Sequence, residues 1–533
     1  MKIGRRTALG ASAAILACGP SRACKTQTKL PAGRIVGQVE RMGHLLRSGA
    51  IPSIDTLELE AHRVIVVGAG VAGLSCARAL KQAGVEDVLV LELDEQPGGT
   101  ATWGSNAEGQ HPWGAHYVTL PRSEQRAFGD LLVEAGACTR SDNGELVPTE
   151  RTACREPEER LFVGGAWQEG LWPTSGASAA DLAEFAKFRE QISQLCTLQR
   201  PDGTRLFRFP LTDSALGEVG AALDQQTATA WLRSQGFASE RLHWMVDYAC
   251  RDDYGTRASD CSALAALAYF AGRQLAAGAE PQPVLTWPEG NGHLVQHLLR
   301  TAALRTGVLV TQVSPDGRVS GVDTSGNPFA MSASAVVMAI PSFVAARVVQ
   351  QQPEELRSKR AALRYAPWWV ANLRVREHPA GRGAAVAWDN VLYDSDSVGY
   401  VVATHQRGAD SGPTTLTYYA PMSDGDPAAR RKELLTASYE ELAERCLSDL
   451  EAAHPNIREL VVDINIRKWG HAMVRPVPGV LSSGVWNALR QSFGKVHYAH
   501  TDLSGLALFD EAFAQGERAA LEVLSSLARH PIT

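Results

Sequence analysis

Val64-Ile-Val-Val-Gly68-Ala-Gly70-Val-Ala-Gly73-Leu-Ser-Cys-Ala-Arg-Ala-Leu80 joins a run of β-formers to a small-residue helix through three glycines spaced G-x-G-x-x-G. A second β-forming run, Val88-Leu-Val-Leu-Glu92, follows. This strand–turn–helix–strand order is the unit that binds an ADP moiety. Gly68 permits the tight turn, Gly70 lets the backbone approach a pyrophosphate, and Gly73 lets helix and strand pack closely. The helix start at Val71 and Ala72 offers N–H groups and a positive dipole end to the phosphates. Glu92, closing the second strand, is placed to accept hydrogen bonds from ribose hydroxyls.

The chain then reads Leu93-Asp-Glu-Gln-Pro97-Gly98-Gly99-Thr100. A Gly-Gly turn so soon after the ribose acid resembles the extended FAD fingerprint of the flavin-dependent amine oxidoreductase superfamily. Monoamine and polyamine oxidases, protoporphyrinogen oxidases and carotenoid desaturases are among its members. The resemblance implies FAD as cofactor, with Gly98, Gly99 and Thr100 on the flavin side of it. It also sets a backbone segment like Trp113-Gly114-Ala115-His116 beside the isoalloxazine.

The C-terminal stretch Val496-His-Tyr-Ala-His500-Thr-Asp502-Leu-Ser-Gly505 leads to Phe509-Asp-Glu-Ala512-Phe-Ala-Gln-Gly516-Glu-Arg518. It resembles the family's closing motif. The likeness implies that Asp502 meets the ribitol or pyrophosphate and that the helix start around Ala512 faces the flavin. His500 stands where the family usually has Gly. Thr311-Gln-Val313 resembles the short strand whose backbone meets the adenine, and Ala335-Val-Val-Met-Ala339 the returning strand after it.

The fold class expected is α/β: a Rossmann-like FAD-binding domain interleaved with an α+β substrate domain. Residues 1–30 read as export signal and linker, and 61–124, 285–349 and 480–533 as the three parts of the FAD domain. Residues 125–284 read as a helix-rich first part of the substrate domain, and 350–479 as its mixed-sheet second part. Apolar periodicity predicts helices around Ile35 to Leu46, over Ala179–Leu195 and over Thr227–Gln235, the last ended by Gly236. Trp369–Val375 and Val391–Ala403 read as strands.

The N-terminus combines Lys2, Arg5 and Arg6 with a short Ala-rich apolar run ending at Ile15-Leu-Ala-Cys18. A basic start, about a dozen apolar residues and a small-residue end describe an export signal, too short for a spanning helix. The paired arginines point to the twin-arginine export machinery and a periplasmic or cell-envelope location. The Cys18 box also resembles a lipoprotein cleavage site, which implies a lipid anchor there; an exported form without lipid is the alternative.

Removing residues 1–17 moves the formal charge from −6 to −9. With no Lys/Arg-rich tract left, nucleic acid is not an expected partner. The cysteines beyond Cys24 form no zinc-ligand spacing, so no metal is expected; Cys138–Cys154 and Cys250–Cys261 are close enough in sequence to pair, but spacing alone does not establish either disulfide.

Flavin chemistry needs a positioned substrate carbon and a tuned ring more than a protein nucleophile. The partner is therefore a small molecule, and the candidates are residues that wall the flavin face: Trp469, His471 and His116. Many amine oxidases of the family carry a lysine on a substrate-domain strand. The matching segment, Arg364–Arg376, has none, and Asn372 or Ala371 stands near that place. Three readings stay open: hydride removal from an amine carbon, desaturation or porphyrinogen-type oxidation of an apolar substrate, and a non-catalytic FAD-binding envelope protein. A carboxylate that could hold a cationic amine separates the first from the second.

Overall fold

The computed structural model describes residues 30–37, 42–43, 46, 58–211, 215–274, 276–279 and 281–529. The expected export signal, Cys18 and Cys24 lie outside the described residues.

Two sheets organise residues 31–529. The first is seven-stranded and runs Ala303–Arg305, Val88–Leu91, Glu60–Val67, Pro328–Met338, Arg318–Asp323, Val308–Val313, with Val496–Tyr498 beside the far half of Pro328–Met338. The pairings among Ala303–Arg305, Val88–Leu91, Glu60–Val67, Pro328–Met338 and Val496–Tyr498 are parallel, and the remaining two strands form an antiparallel extension. Such a sheet buries both faces, so its strands read as continuous apolar runs. Val64, Ile65 and Val66 are fully buried, and successive side chains enter opposite cores. Val64 and Val66 pack with Leu74 and Leu80 of the Val71–Gln82 helix and with Ala519 and Val523 of the Phe509–Arg529 helix. Ile65 and Val67 join the core shared with the helices of residues 179–271.

The second sheet has eight strands in the order Ala32–Val36, Val461–Val474, Tyr365–Val375, Thr414–Pro421, Tyr400–Val402, Asp389–Leu392, Glu159–Val163, Ala166–Glu169. Its first strand corrects the expected helix from Ile35. Ile35 and Val36 lie parallel to Val461–Val474, Ile35 opposite Ile466, because an open sheet edge offers the backbone partners that local periodicity does not reveal. Of the remainder, Gly37 is described and lies outside helix and strand, while Met42, Gly43 and Leu46 are described as helical. The region read as helix-rich supplies the last two strands of this sheet as well as helices. Val391–Ala403 is two strands, Asp389–Leu392 and Tyr400–Val402, folded antiparallel.

Two helices form where apolar periodicity predicts. Ala179–Leu195 starts at a capping box in which Ser178 and Asp181 exchange hydrogen bonds, and it buries Phe185, Phe188 and Ile192 on one face. Ala228–Ser234 follows a Thr227 cap, with Gly236 at φ +75° just beyond its end. All seven described cysteines are free.

Candidate active site

The glycines of the first turn fill three different roles. Gly68 has φ +107°, and a Cβ there would stand 2.4 Å from the Ala339 carbonyl oxygen. A Cβ on Gly73 would be 1.9 Å from the Gly68 oxygen, so helix and turn touch there. A Cβ on Gly70 would meet nothing within 4 Å: the backbone faces open space at the start of the Val71–Gln82 helix, where a pyrophosphate needs room. Glu92 closes the cradle. Its carboxylate accepts the N–H of Ala69 at 2.7 Å and of Asp94 at 2.9 Å, and each oxygen keeps a lone pair for a ribose hydroxyl. Burial raises this carboxyl above its usual range.

The Gly-Gly turn docks onto this loop. Gly98 donates its N–H to Ala69 oxygen at 2.9 Å, and Gly98 and Gly99 both have positive φ. Arg467 forms an ion pair with Asp94, fastening the Val461–Val474 strand of the second sheet beside the turn. The final helix is equally close: a Cβ on Gly516 would be 2.3 Å from the Ala72 oxygen. Ala512 lies inside that helix, its N–H bonded to Leu508 oxygen at 3.0 Å. Asp502 is buried, and its carboxylate accepts Ser342 N–H at 2.7 Å and the Tyr365 hydroxyl. Burial opposes its charge, but His500, Tyr365 and the Ser342 amide outweigh burial and hold it below the usual range. Val313 ends its strand, its carbonyl accepting Gln350 N–H at 2.8 Å. An open phosphate cradle, an acid with spare lone pairs and a flavin-side turn make the residues present fit FAD.

Beyond Thr100 a cavity opens. Its wall includes Gly114, Ala115, His116 and Trp469, so the structure brings four of the expected flavin-side residues to one space with Thr100. Ala115 N–H reaches Thr100 oxygen at 2.8 Å, and a Cβ on Gly114 would be 2.2 Å from that same oxygen. The Gly114 carbonyl accepts the Tyr419 hydroxyl at 2.9 Å and faces His116 Nδ1 at 3.3 Å. A carbonyl only accepts, so Nδ1 carries the proton and Nε2 is left as an acceptor. His116 stacks on Tyr419 with ring centroids 4.6 Å apart, and burial lowers its pKa to about 4, which keeps the imidazole neutral. His471 goes elsewhere. It stacks on Phe343 at 4.2 Å and lies edge-on to Tyr365, whose hydroxyl reaches Asp502, and it is not part of the cavity wall.

Asn372, near the expected lysine position, bridges the two sheets' territories. Its Nδ2 donates to Pro112 oxygen at 3.0 Å, and its Oδ1 accepts the Thr417 hydroxyl at 2.7 Å.

The family described as flavin containing amine oxidoreductase matches residues 71–524. The chain belongs to this family. It is an FAD-dependent oxidoreductase of the amine oxidoreductase type. Among solved structures it is similar to a putrescine oxidase bound to putrescine, at 16% identity over 88% of this chain and 100% of that one, with a TM-score of 0.65. It is also similar to the cyclohexylamine oxidase of Brevibacterium oxydans, at 17% identity over 88% of this chain and 100% of that one, TM-score 0.61. A fatty acid isomerase from P. acnes has the same fold at 14% identity, 88% and 99% coverage and TM-score 0.59. In sequence, the chain is 23% identical to the oxidoreductase PigB of a Serratia species over 266 residues, which is 46% of this chain and 39% of that relative's length.

In this flavin amine oxidoreductase, the charged groups of the cavity wall are the part that sequence reading missed. They are Asp252, Asp253, Asp510 and Arg273. Asp252 and Asp253 end the Glu240–Tyr254 helix, where the backbone dipole is negative and disfavours carboxylates. That placement was the available signal: a structural residue gains nothing there. Asp253 is committed to Arg273, at 3.0 and 3.1 Å, and to the Tyr117 hydroxyl at 3.0 Å. Behind Asp252 lie Glu159 and Asp389, opposite one another on paired strands. Burial comes first for each: repulsion from Asp253 comes next for Asp252, which rises to about 7, repulsion from Asp252 and Glu159 comes next for Asp389, and burial with its neighbour Glu158 brings Glu159 to about 7 also.

Proposed function

We propose that this protein removes hydride from the carbon of an amine, with flavin N5 as acceptor. Bound FAD supplies the two-electron sink; the chain supplies a site that holds the substrate against it. The observation that carries the reading is the charge balance of the cavity wall, three carboxylates against one guanidinium. Charge of that sign attracts a cation and repels an anion. Phe128, Phe209, Leu508 and Phe509 add apolar surface to the same wall, which suits an amine on an apolar body. Trp469 and Tyr419 flank the Gly114–Ala115 backbone and orient the substrate.

The reading includes export. Arg5-Arg6 and the apolar run before Cys18 serve as a twin-arginine signal, with Cys18 as the candidate for lipidation. R5K/R6K double substitution should then retain the protein in the cytoplasm, and unchanged fractionation would refute export by this route.

The functional test is product analysis. FAD-loaded protein is given primary amines with apolar substituents and an artificial electron acceptor, and aldehyde and ammonia are assayed. Stoichiometric aldehyde and ammonia are expected. Acceptor reduction only with non-amine substrates would replace the reading with desaturation.

A further inference from the structure

We infer that Asp252 is the catalytic base of the reductive half-reaction, taking a proton from the substrate ammonium so that the amine lone pair becomes available before the Cα–H bond breaks. The inference rests on the amine reading above. Three carboxylates wall the cavity, and two are occupied. Asp253 is held by Arg273 and Tyr117, and Asp510 accepts the Gln125 amide at 3.2 Å. Asp252 receives only a long 3.4 Å contact from the Tyr117 hydroxyl among the described residues. It is enclosed by protein yet keeps surface toward the cavity.

The step balances simply. One N–H bond of R–CH2–NH3+ breaks, its proton goes to a carboxylate oxygen of Asp252, and R–CH2–NH2 and a neutral carboxyl remain. Oxidation of that amine by the FAD already assigned to this protein then leaves R–CH=NH2+.

The surroundings suit such a base. Asp253 and Arg251 flank Asp252 on its own helix, and Arg273 approaches from beyond the Ala263–Ala271 helix. Tyr117 faces it from the Tyr117–Thr119 strand. Glu159 and Asp389 stand behind it on the second sheet, Asp389 held by the Tyr248 hydroxyl at 3.3 Å. Carboxylates outnumber cations here, so burial and repulsion raise Asp252 to about 7, close to neutral operating pH. His116 is the one imidazole in the wall, and burial holds it at about 4. From an ammonium of pKa about 10, proton transfer to His116 is about 10³-fold less favourable than transfer to Asp252.

The test follows flavin bleaching anaerobically by stopped flow, at low concentrations of the fastest-reducing primary amine of the panel, from pH 6 to pH 10. In wild type the rate should level off above about pH 7. In D252N it should be about 10²-fold lower at pH 7 and climb through the amine's own pKa, coming within about tenfold of wild type at pH 10. D252E, which keeps a base, should keep the wild-type plateau. A D252N profile that parallels wild type, or lies below it by one factor at every pH, overturns the role of Asp252.

A pH-indicator burst recorded before bleaching gives a readout independent of turnover. Binding of the ammonium to wild type should expel nearly one proton per flavin at pH 6 and none at pH 8.5; a burst that does not change with pH overturns the proposal even if D252N loses its flavin. Wild type unreduced by every amine would instead sink the amine reading itself, a result distinct from a wild type that bleaches beside an unaffected D252N.

Discussion

Trp469 donates its indole N–H to the Trp113 carbonyl at 2.7 Å, one residue before the Gly114–Ala115 backbone that walls the cavity. Trp469 belongs to the Val461–Val474 strand of the second sheet, so this bond sets the distance between the substrate sheet and the flavin-side segment. The guanidinium of Arg467 lies 4.4 Å over the same indole while pairing with Asp94 at the Gly-Gly turn. W469F keeps an aromatic wall but leaves the Trp113 carbonyl without its donor. A stability loss of about 1–2 kcal/mol is expected by denaturant unfolding, together with slower flavin reduction. Unchanged stability would show that the bond does not position the segment.

Gly70 and Gly73 sit three residues apart and should fail differently. G70V points its side chain into open space, so the fold should survive while the visible flavin absorbance per protein falls. G73A drives a methyl to within 1.9 Å of the Gly68 oxygen and should lower the unfolding free energy itself, by about 1–3 kcal/mol or more. Full flavin occupancy in G70V would contradict the cradle.

Glu159 gives a pH-dependent prediction. Its side chain has no hydrogen bond among the described residues, and burial with Glu158 nearby raises its carboxyl from 4.5 to about 7. The folded chain therefore holds this proton more tightly than the unfolded chain. The resulting penalty begins as pH rises above about 4.5 and is complete above about 7. E159Q removes it, so the variant should gain about 3 kcal/mol at pH 8 and little at pH 4.5, since tenfold in proton affinity is about 1.4 kcal/mol. Thermal melts at both pH values check this, and equal differences at the two would refute it.

Arg273 neutralises Asp253 and lies 3.8 Å over the Tyr269 ring. R273M leaves a buried carboxylate with only the Tyr117 hydroxyl, which should cost about 3–5 kcal/mol in urea unfolding at pH 8. A neutral outcome would mean that Asp253 is protonated in the native protein.

Much of the cofactor cradle was legible because its constraints are local. A tight turn, a phosphate approach and a helix–turn contact each demand glycine at a fixed spacing, and Gly68, Gly70 and Gly73 meet them within six residues. The Ala179–Leu195 and Ala228–Ser234 helices were legible through local apolar periodicity, with Gly236 marking the end of the second. Ile35 and Val36 were misread because their partner, the Val461–Val474 strand, is more than four hundred residues away. The acidic wall was invisible for that reason too: Asp252 and Asp253 come from the Glu240–Tyr254 helix and Asp510 from the Phe509–Arg529 helix, and each alone reads as a surface acid. His471 shares a strand with Trp469, but stacking on Phe343 carries it toward Asp502, a choice made by packing.

The central claim is most directly tested by the visible spectrum of FAD-loaded protein titrated anaerobically with a primary amine carrying an apolar substituent, beside the corresponding alcohol. Loss of the oxidised flavin band with the amine alone is the predicted result. A band that no amine bleaches, in protein that keeps its flavin, would contradict it.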